Sequence, residues 1–354
     1  MLPHAIYFEA LAALPDSRSH QWREIAAGLT VLRLVDDWLD YEENIIANEG
    51  NDLARVKAIV ADIPQNQTLR SVLSNITMAI QHAEKSSFSV VAPNLLAYAL
   101  ELERDAQYAL SEDVFQGIRE RALVLGDKEL VTQSCLKLGR NYRMTRRLDL
   151  AEEFYTEGLY YAKTTGNRLR RLTANTGLVK LYVQRGDLQS AIALSDDTIL
   201  EARQMDNLSA LSIALHDRGF VSIAEENYPE SATRLQQALQ LPGADKSSIL
   251  GDLGNVLMNA GDIQRSREIN YALSVTARER HIRWIAAVNL MCAAAYDGQR
   301  DEFERYISTL DVLATRPICR FEYHLVAADG YKILGQPHAA VRHAEAAAAM
   351  GALV

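Results

Sequence analysis

From residue 92 onward the chain alternates between apolar-periodic stretches and short polar turns at a near-constant interval. Within each stretch the apolar residues recur at spacings of three and four, the period of a helix with one buried face. The turns are rich in Gly, Asp and Asn, which stop one helix and start the next. Ala122 to Asp127, Ala162 to Asn167 and Ala202 to Asn207 repeat one pattern, each copy 40 residues after the last. A second element runs Arg147 to Ala151 and again Gly186 to Ala191. Related turns follow at Glu226 to Ser231 and Gly261 to Ser266, with weaker copies at Gly298-Gln299 and Gly335-Gln336. Two motifs that keep one register mark an internal repeat.

The unit this pattern predicts is a helical hairpin. A small residue one turn into the second helix lets the two helices approach: Ser111, Ala151, Ala191, Ser231, Ser266 and Ala340, with Phe303 the bulky exception. The middle of the first helix is also small, at Ala99, Gly139, Gly219, Gly254 and Ala328. Three residues on comes a packing residue (Leu102, Tyr142, Tyr182, Leu257, Tyr331). Four residues after the small position of the second helix comes another (Phe115, Tyr155, Leu235, Ile307). Pro242 is predicted to cut the second helix of its hairpin short.

In these residues the chain resembles the tetratricopeptide (TPR) family, whose pattern is a small residue and an aromatic on the first helix, then Ala, aromatic and Ala on the second. The register tiles 92–131, 132–171, 172–211, 212–246, 247–283, 284–320 and 321–354, about three quarters of the sequence. The 40-residue period exceeds the family's ~34, which implies longer helices, as in arrays of bacterial signalling regulators. The resemblance implies an all-α fold, a right-handed superhelical array of helical hairpins (an α-solenoid), with the first helices lining a concave face.

Residues 1–91 fit no repeat register and form a divergent N-terminal segment, a cap or a small interaction module ahead of the array at 92–354. Two or three helices are expected there, within Trp22 to Glu49 and Leu69 to Glu84, with Pro64 and Pro93 as helix starts or breaks.

Charge sharpens the functional reading. The net charge of -9 argues against a general nucleic-acid binder. Yet the window 137–171 holds nine Lys or Arg against four acids, a surplus of five. If the first helices line the groove, then Lys137, Arg140, Arg143, Asn175, Lys180, His216 and Phe220 fall on the ligand side. The basic members suit an acidic peptide, a terminal carboxylate or a phosphate, since an arginine fork takes such a group bidentately. The chaperone-binding members of the family clamp a carboxylate with Lys and Asn; the matching positions here are Leu136 and Arg140, which argues against a chaperone tail. Further along, Phe220, Ile223, Met258 and Tyr296 suggest that the groove turns apolar.

Other chemistry finds little support. Asp36-Asp37-Trp38-Leu39-Asp40 resembles the magnesium-binding motif of prenyl-chain enzymes, but no second aspartate-rich motif exists, and Glu42 and Glu43 extend the run into an acidic face. A metal-dependent enzyme using Asp36, Asp37 and Asp40 is the remote alternative. Cys135, Cys292 and Cys319 are too scattered for a disulfide framework or a zinc site. No apolar run is long enough to span a membrane, and the N-terminus lacks the basic start of a signal peptide. The expectation is a cytoplasmic, non-catalytic protein- or peptide-binding scaffold that needs no cofactor and does not bind nucleic acid or membrane directly. The alternative is the sensory region of a larger signalling protein, a transcription regulator or a cyclic-dinucleotide synthase. The last repeat runs out at Val354 with no polar helix to cover it. Three readings fit this end: further residues follow, a homodimer partner covers it, or the final helix is Ala-rich enough to tolerate exposure.

Overall fold

The computed structural model describes residues 4–40, 50–63, 66–82, 88–105, 107–277, 280–313 and 317–351. Among these residues there are helices and turns and no strand. The chain divides into two compact units, Met1–Gly177 and Leu178–Val354.

The first unit opens with four helices: α1 (Ala5–Ala12), α2 (His20–Asp40), α3 (Gly50–Ala61) and α4 (Gln67–His82). This exceeds the two or three expected. The helix foreseen within Trp22 to Glu49 is α2, while residues 41–49 lie outside those described, as does Pro64. The helix foreseen at Leu69 to Glu84 is α4. The two unforeseen helices are short. α1 starts from His4 in the left-handed conformation with no side-chain cap, so it lacks a start signal. Tyr7 anchors it, fully buried, with its hydroxyl donating to that of Tyr98 at 3.2 Å.

Hairpins follow: α5 (Phe88–Arg104) with α6 (Tyr108–Leu125), and α7 (Lys128–Met144) with α8 (Leu148–Thr164). The boundary between the units falls inside α9 (Arg168–Arg185). The second unit continues with α10 (Leu188–Gln204), α11 (Leu208–Ala224), α12 (Tyr228–Leu239), α13 (Lys246–Asn259), α14 (Ile263–Thr276), α15 (Arg280–Tyr296), α16 (Arg300–Leu313), α17 (Pro317–Ile333) and α18 (Pro337–Gly351). α12 ends three residues before Pro242, as predicted. Pro93, by contrast, neither starts nor breaks a helix. It sits inside α5, where its missing N–H removes one bond near the helix start and Phe88, Val91, Ala92 and Leu95 hold that segment by burial. The first helices of most hairpins start one turn ahead of the sequence tiles, because their capping residue precedes the first apolar position.

The turns are built alike. One left-handed residue ends a helix, as at Gly126 and Gly186, where the absence of a Cβ removes the penalty. Arg146, Asp206 and Glu226 adopt the same conformation elsewhere. The next amide then bonds back five residues, as Asp127 N to Ala122 O and Asp262 N to Leu257 O, both 2.9 Å. Asp127, Asp187, Asn207, Asn227, Asp245 and Asp262 cap the following helix with their side chains, each accepting from a backbone N–H that has no partner within the helix.

The small positions meet as foreseen. Ser111 Oγ donates to Ala99 O (2.9 Å), Ser231 Oγ to Gly219 O (2.9 Å) and Ser266 Oγ to Gly254 O (2.6 Å). Thus serine does more than make room: its hydroxyl fastens the second helix to the first. The foreseen packing residues Leu102, Tyr142, Leu257, Tyr331, Phe115, Tyr155, Leu235 and Ile307 are buried, and Tyr182 is half-buried. Phe303 is accommodated by Gly330 of α17, whose missing Cβ leaves space for the ring edge. In the second unit the core lies within hairpins and between successive ones, as where Val179, Ala191 and Val221 join α9, α10 and α11. The first helices there also touch in series, α11 on α13, α13 on α15 and α15 on α17.

Candidate functional site

In the first unit, the basic face of α7 is built from Lys137, Arg140 and Arg143, spaced one helical turn apart. Arg140 is exposed and its guanidinium lies 3.8 Å from Glu103 of α5, a buried carboxylate. Arg170 of α9 donates through Nε to Glu129 of α7 at 2.8 Å. Burial opposes ionisation of Glu129, but hydrogen bonds from Arg170, Gln133 and Asn167 outweigh it and hold its pKa below the usual value. Lys137 lies within the field of both ion pairs. Burial, then the field of Arg140, lowers the pKa of its ammonium; Arg170 adds to this and Glu103 opposes it. Among the described residues no carboxylate lies within ion-pair distance of Lys137. Arg143 Nε is buried with no acceptor, and Asn175 is buried on α9.

The basic window is thus less charged than its sequence implies. Glu103, Glu112 and Glu129, all upstream of it, reach Arg140, Arg147 and Arg170. Arg147 also stacks over Tyr142, 4.4 Å from the ring centre, and Tyr142 donates its hydroxyl to Glu112 at 2.7 Å. These pairs link one hairpin to the previous one, at separations that sequence-local charge counting does not join.

In the second unit, Lys180 of α9 pairs with Asp217 of α11 at 3.1 Å. Asp217 is 3% exposed, and its second oxygen, Oδ2, is buried with no donor. His216 Nε2 meets Asp252 of α13 at 2.8 Å. Phe220, Ile223 and Met258 are half-buried, and Tyr296 is 59% exposed. Polar groups lie on the same helices as these apolar residues. Asp217 and Asp252 place carboxylates on the same helices, and Asn289 of α15 donates to the buried Asn270 at 3.1 Å. Sequence reading passed over Asp217 because a lone Asp on an amphipathic helix looks solvated.

Asp36 is engaged elsewhere in the first unit. His4 Nε2 lies 3.0 Å from Asp36 of α2, and His4 Nδ1 is hydrogen-bonded to Asp113 of α6. The carboxylates flank one imidazole on its two nitrogens and so do not converge on a common point. Burial lowers the pKa of His4, but the hydrogen bonds to Asp113 and Asp36 override this and raise it to about 9. Asp40 ends α2, and Glu42 and Glu43 lie outside the described residues. Among the described residues no group of three or more His, Cys, Asp or Glu is placed to hold a metal ion, and no helix is long and apolar enough to cross a membrane.

The chain's stacked helical hairpins define a TPR-like helical-repeat fold. The sequence matches no protein-family model, and no curated protein matches it. Solved structures share the architecture. One is a Rap protein complexed with competence and sporulation factor (TM-score 0.60, 10% identity, 93% of this chain and 98% of that one). Another is the apo form of RapI (TM-score 0.57, 9% identity, 73% and 97%). A third is aspartyl phosphate phosphatase F from Bacillus subtilis (TM-score 0.55, 10% identity, 96% and 95%). At these identities the likeness is one of fold.

Proposed function

We propose that this chain is a non-catalytic, cytoplasmic scaffold that holds a protein or extended peptide against the first helices of its hairpins. In the first unit Lys137, Arg140, Arg143 and Asn175 receive an acidic group, best a carboxylate. In the second unit Lys180, His216 and Phe220 face the ligand, with Asp217 Oδ2 open to a donor. The observation that carries the reading is Lys137: a half-buried ammonium in the field of Arg140 and Arg170 with no carboxylate at ion-pair distance among the described residues. Leaving a cation desolvated and unpaired is costly, and an incoming anion removes that cost. The fold likeness to a protein solved with competence and sporulation factor supports a ligand-holding role. The segment 1–91 serves as an N-terminal cap or small interaction module for the array at 92–354.

The test is a peptide array probed with the full chain, each peptide made with a free C-terminal carboxylate and as its amide. Binders should prefer the acid form or an acidic side chain, and Lys137→Gln should weaken them by about tenfold or more, in keeping with loss of a buried charge pair. Binders indifferent to both changes would exclude the carboxylate subsite, and absence of any binder would count against the scaffold reading itself.

A further inference from the structure

The hairpin of α17 and α18 carries a cluster that peptide holding does not use. His324 of α17 and His343 of α18 face each other with their Nδ1 atoms 2.9 Å apart. Imidazole nitrogens at that distance bond only if one carries a proton and the other a lone pair. The pair therefore holds one shared proton on its facing nitrogens. A second proton there would set two N–H donors, each on a cation, against each other.

The groups around the pair offer the protonated rings another place to bond. From α16 come two carboxylates, Asp311 and Glu304, and each is now engaged by a phenol of α17. Tyr323 donates to Asp311, and Tyr331 donates to Glu304 at 2.8 Å. Tyr323 packs on His324 with ring centres 4.2 Å apart, and Tyr331 on His343 at 5.2 Å. The cations acting on the pair are Arg320 of α17 and Arg342 of α18.

We propose that His324 and His343 form a proton-operated latch. It holds α18 on α17 while the rings share one proton, and opens when both rings are charged, the imidazolium groups then turning to Asp311 and Glu304. The directions of titration agree. Burial is the chief cause that lowers the pKa of each ring; at His343 the neighbouring His324 lowers it further, while Asp311 acts against the shift at both. The latch spans the core that α15 to α18 share, where Ala339, Ala340 and Tyr331 are buried. Its opening uncovers that apolar underside of α18.

Hydrogen exchange on the full chain tests this, comparing α18 with α14 as an internal reference between about pH 7.5 and about pH 5, the range in which histidine changes charge. After correction for intrinsic rates, α18 should lose protection by about tenfold or more relative to α14. His343→Gln should abolish that pH response, and His324→Gln serves if the first variant misfolds. Asp311→Asn should move the opening to lower pH, because the charged ring loses its carboxylate. The latch is refuted if α18 and α14 respond alike, or if the response survives in both histidine variants. It is equally refuted if NMR shows the two rings titrating independently at the ordinary histidine value.

Discussion

The ring of Tyr155 in α8 presses on the bare backbone of Gly139 in α7: a Cβ built on Gly139 would lie 2.7 Å from Tyr155 Cδ1. The same ring also meets Gly177 of α9, closer still. One aromatic side chain thus spans three helices of the first unit, and two glycines make the space. Gly139→Ala and Gly177→Ala should each destabilise the chain by about 1–3 kcal/mol, the usual penalty of overpacking. Gly117→Ala is the control, since nothing lies within 4 Å of its Cβ position; it should be neutral or stabilising by about 0.5–1 kcal/mol. Urea unfolding measures all three.

The serine fasteners make a separate prediction. Ser231→Ala removes the donor to Gly219 O and keeps the size. The loss should be about 0.5–1.5 kcal/mol, the net worth of one buried hydrogen bond. Ser231→Val should cost more, because the added methyl groups enter a contact that Leu235 and Gly219 already fill. Denaturation midpoints should therefore rank wild type, Ala, Val.

His4 ties α1 to α2 and α6, and its pKa is raised to about 9, well above the ordinary histidine value. A base whose folded pKa is raised stabilises the fold fully below its unfolded value and loses that contribution as pH rises through the folded one. Protection of α1 against hydrogen exchange should therefore fall, after correction for intrinsic rates, between about pH 7 and about pH 10. In His4→Gln that fall should vanish and protection should already be low at neutral pH. A flat wild-type profile would exclude a charged His4.

Lys137 predicts a proton signature for binding. Its pKa is lowered in the free chain, chiefly by burial, and a bound anion raises it again. Binding of a carboxylate peptide should then take up protons on the alkaline side of neutrality, seen as a dependence of calorimetric heat on the ionisation enthalpy of the buffer. Lys137→Met should lose this dependence and weaken binding. Its unfolding free energy should match or exceed wild type, since replacing an unpaired, half-buried charge by an apolar side chain removes a desolvation penalty.

The hairpins were legible because two independent signals keep one register, the Gly/Asp/Asn turn and the small residues at 99/111, 219/231 and 254/266. α1 and α3 were not, since α1 has no side-chain cap and both lie outside the repeat register. Gly177 was missed for a related reason: its hairpin carries Val179 at the position where others carry Gly, and the small residue serves a helix of the preceding hairpin instead. At the candidate site, the basic residues could be named from the sequence, but their partners could not. Arg140 and Arg170 meet Glu103 and Glu129 about one repeat upstream, a separation that only stacking brings together. Asp217 was hidden differently. A lone Asp in an amphipathic helix reads as solvated, and only its burial singles it out.

The recurring serine-to-carbonyl bond, always twelve residues back, has a mechanical corollary. Each such bond closes its own loop without help from distant sequence. A chain stapled in this way should yield to a pulling force in short, similar steps, one hairpin's length at a time, with no single large rupture, and should re-form from whichever hairpin closes first.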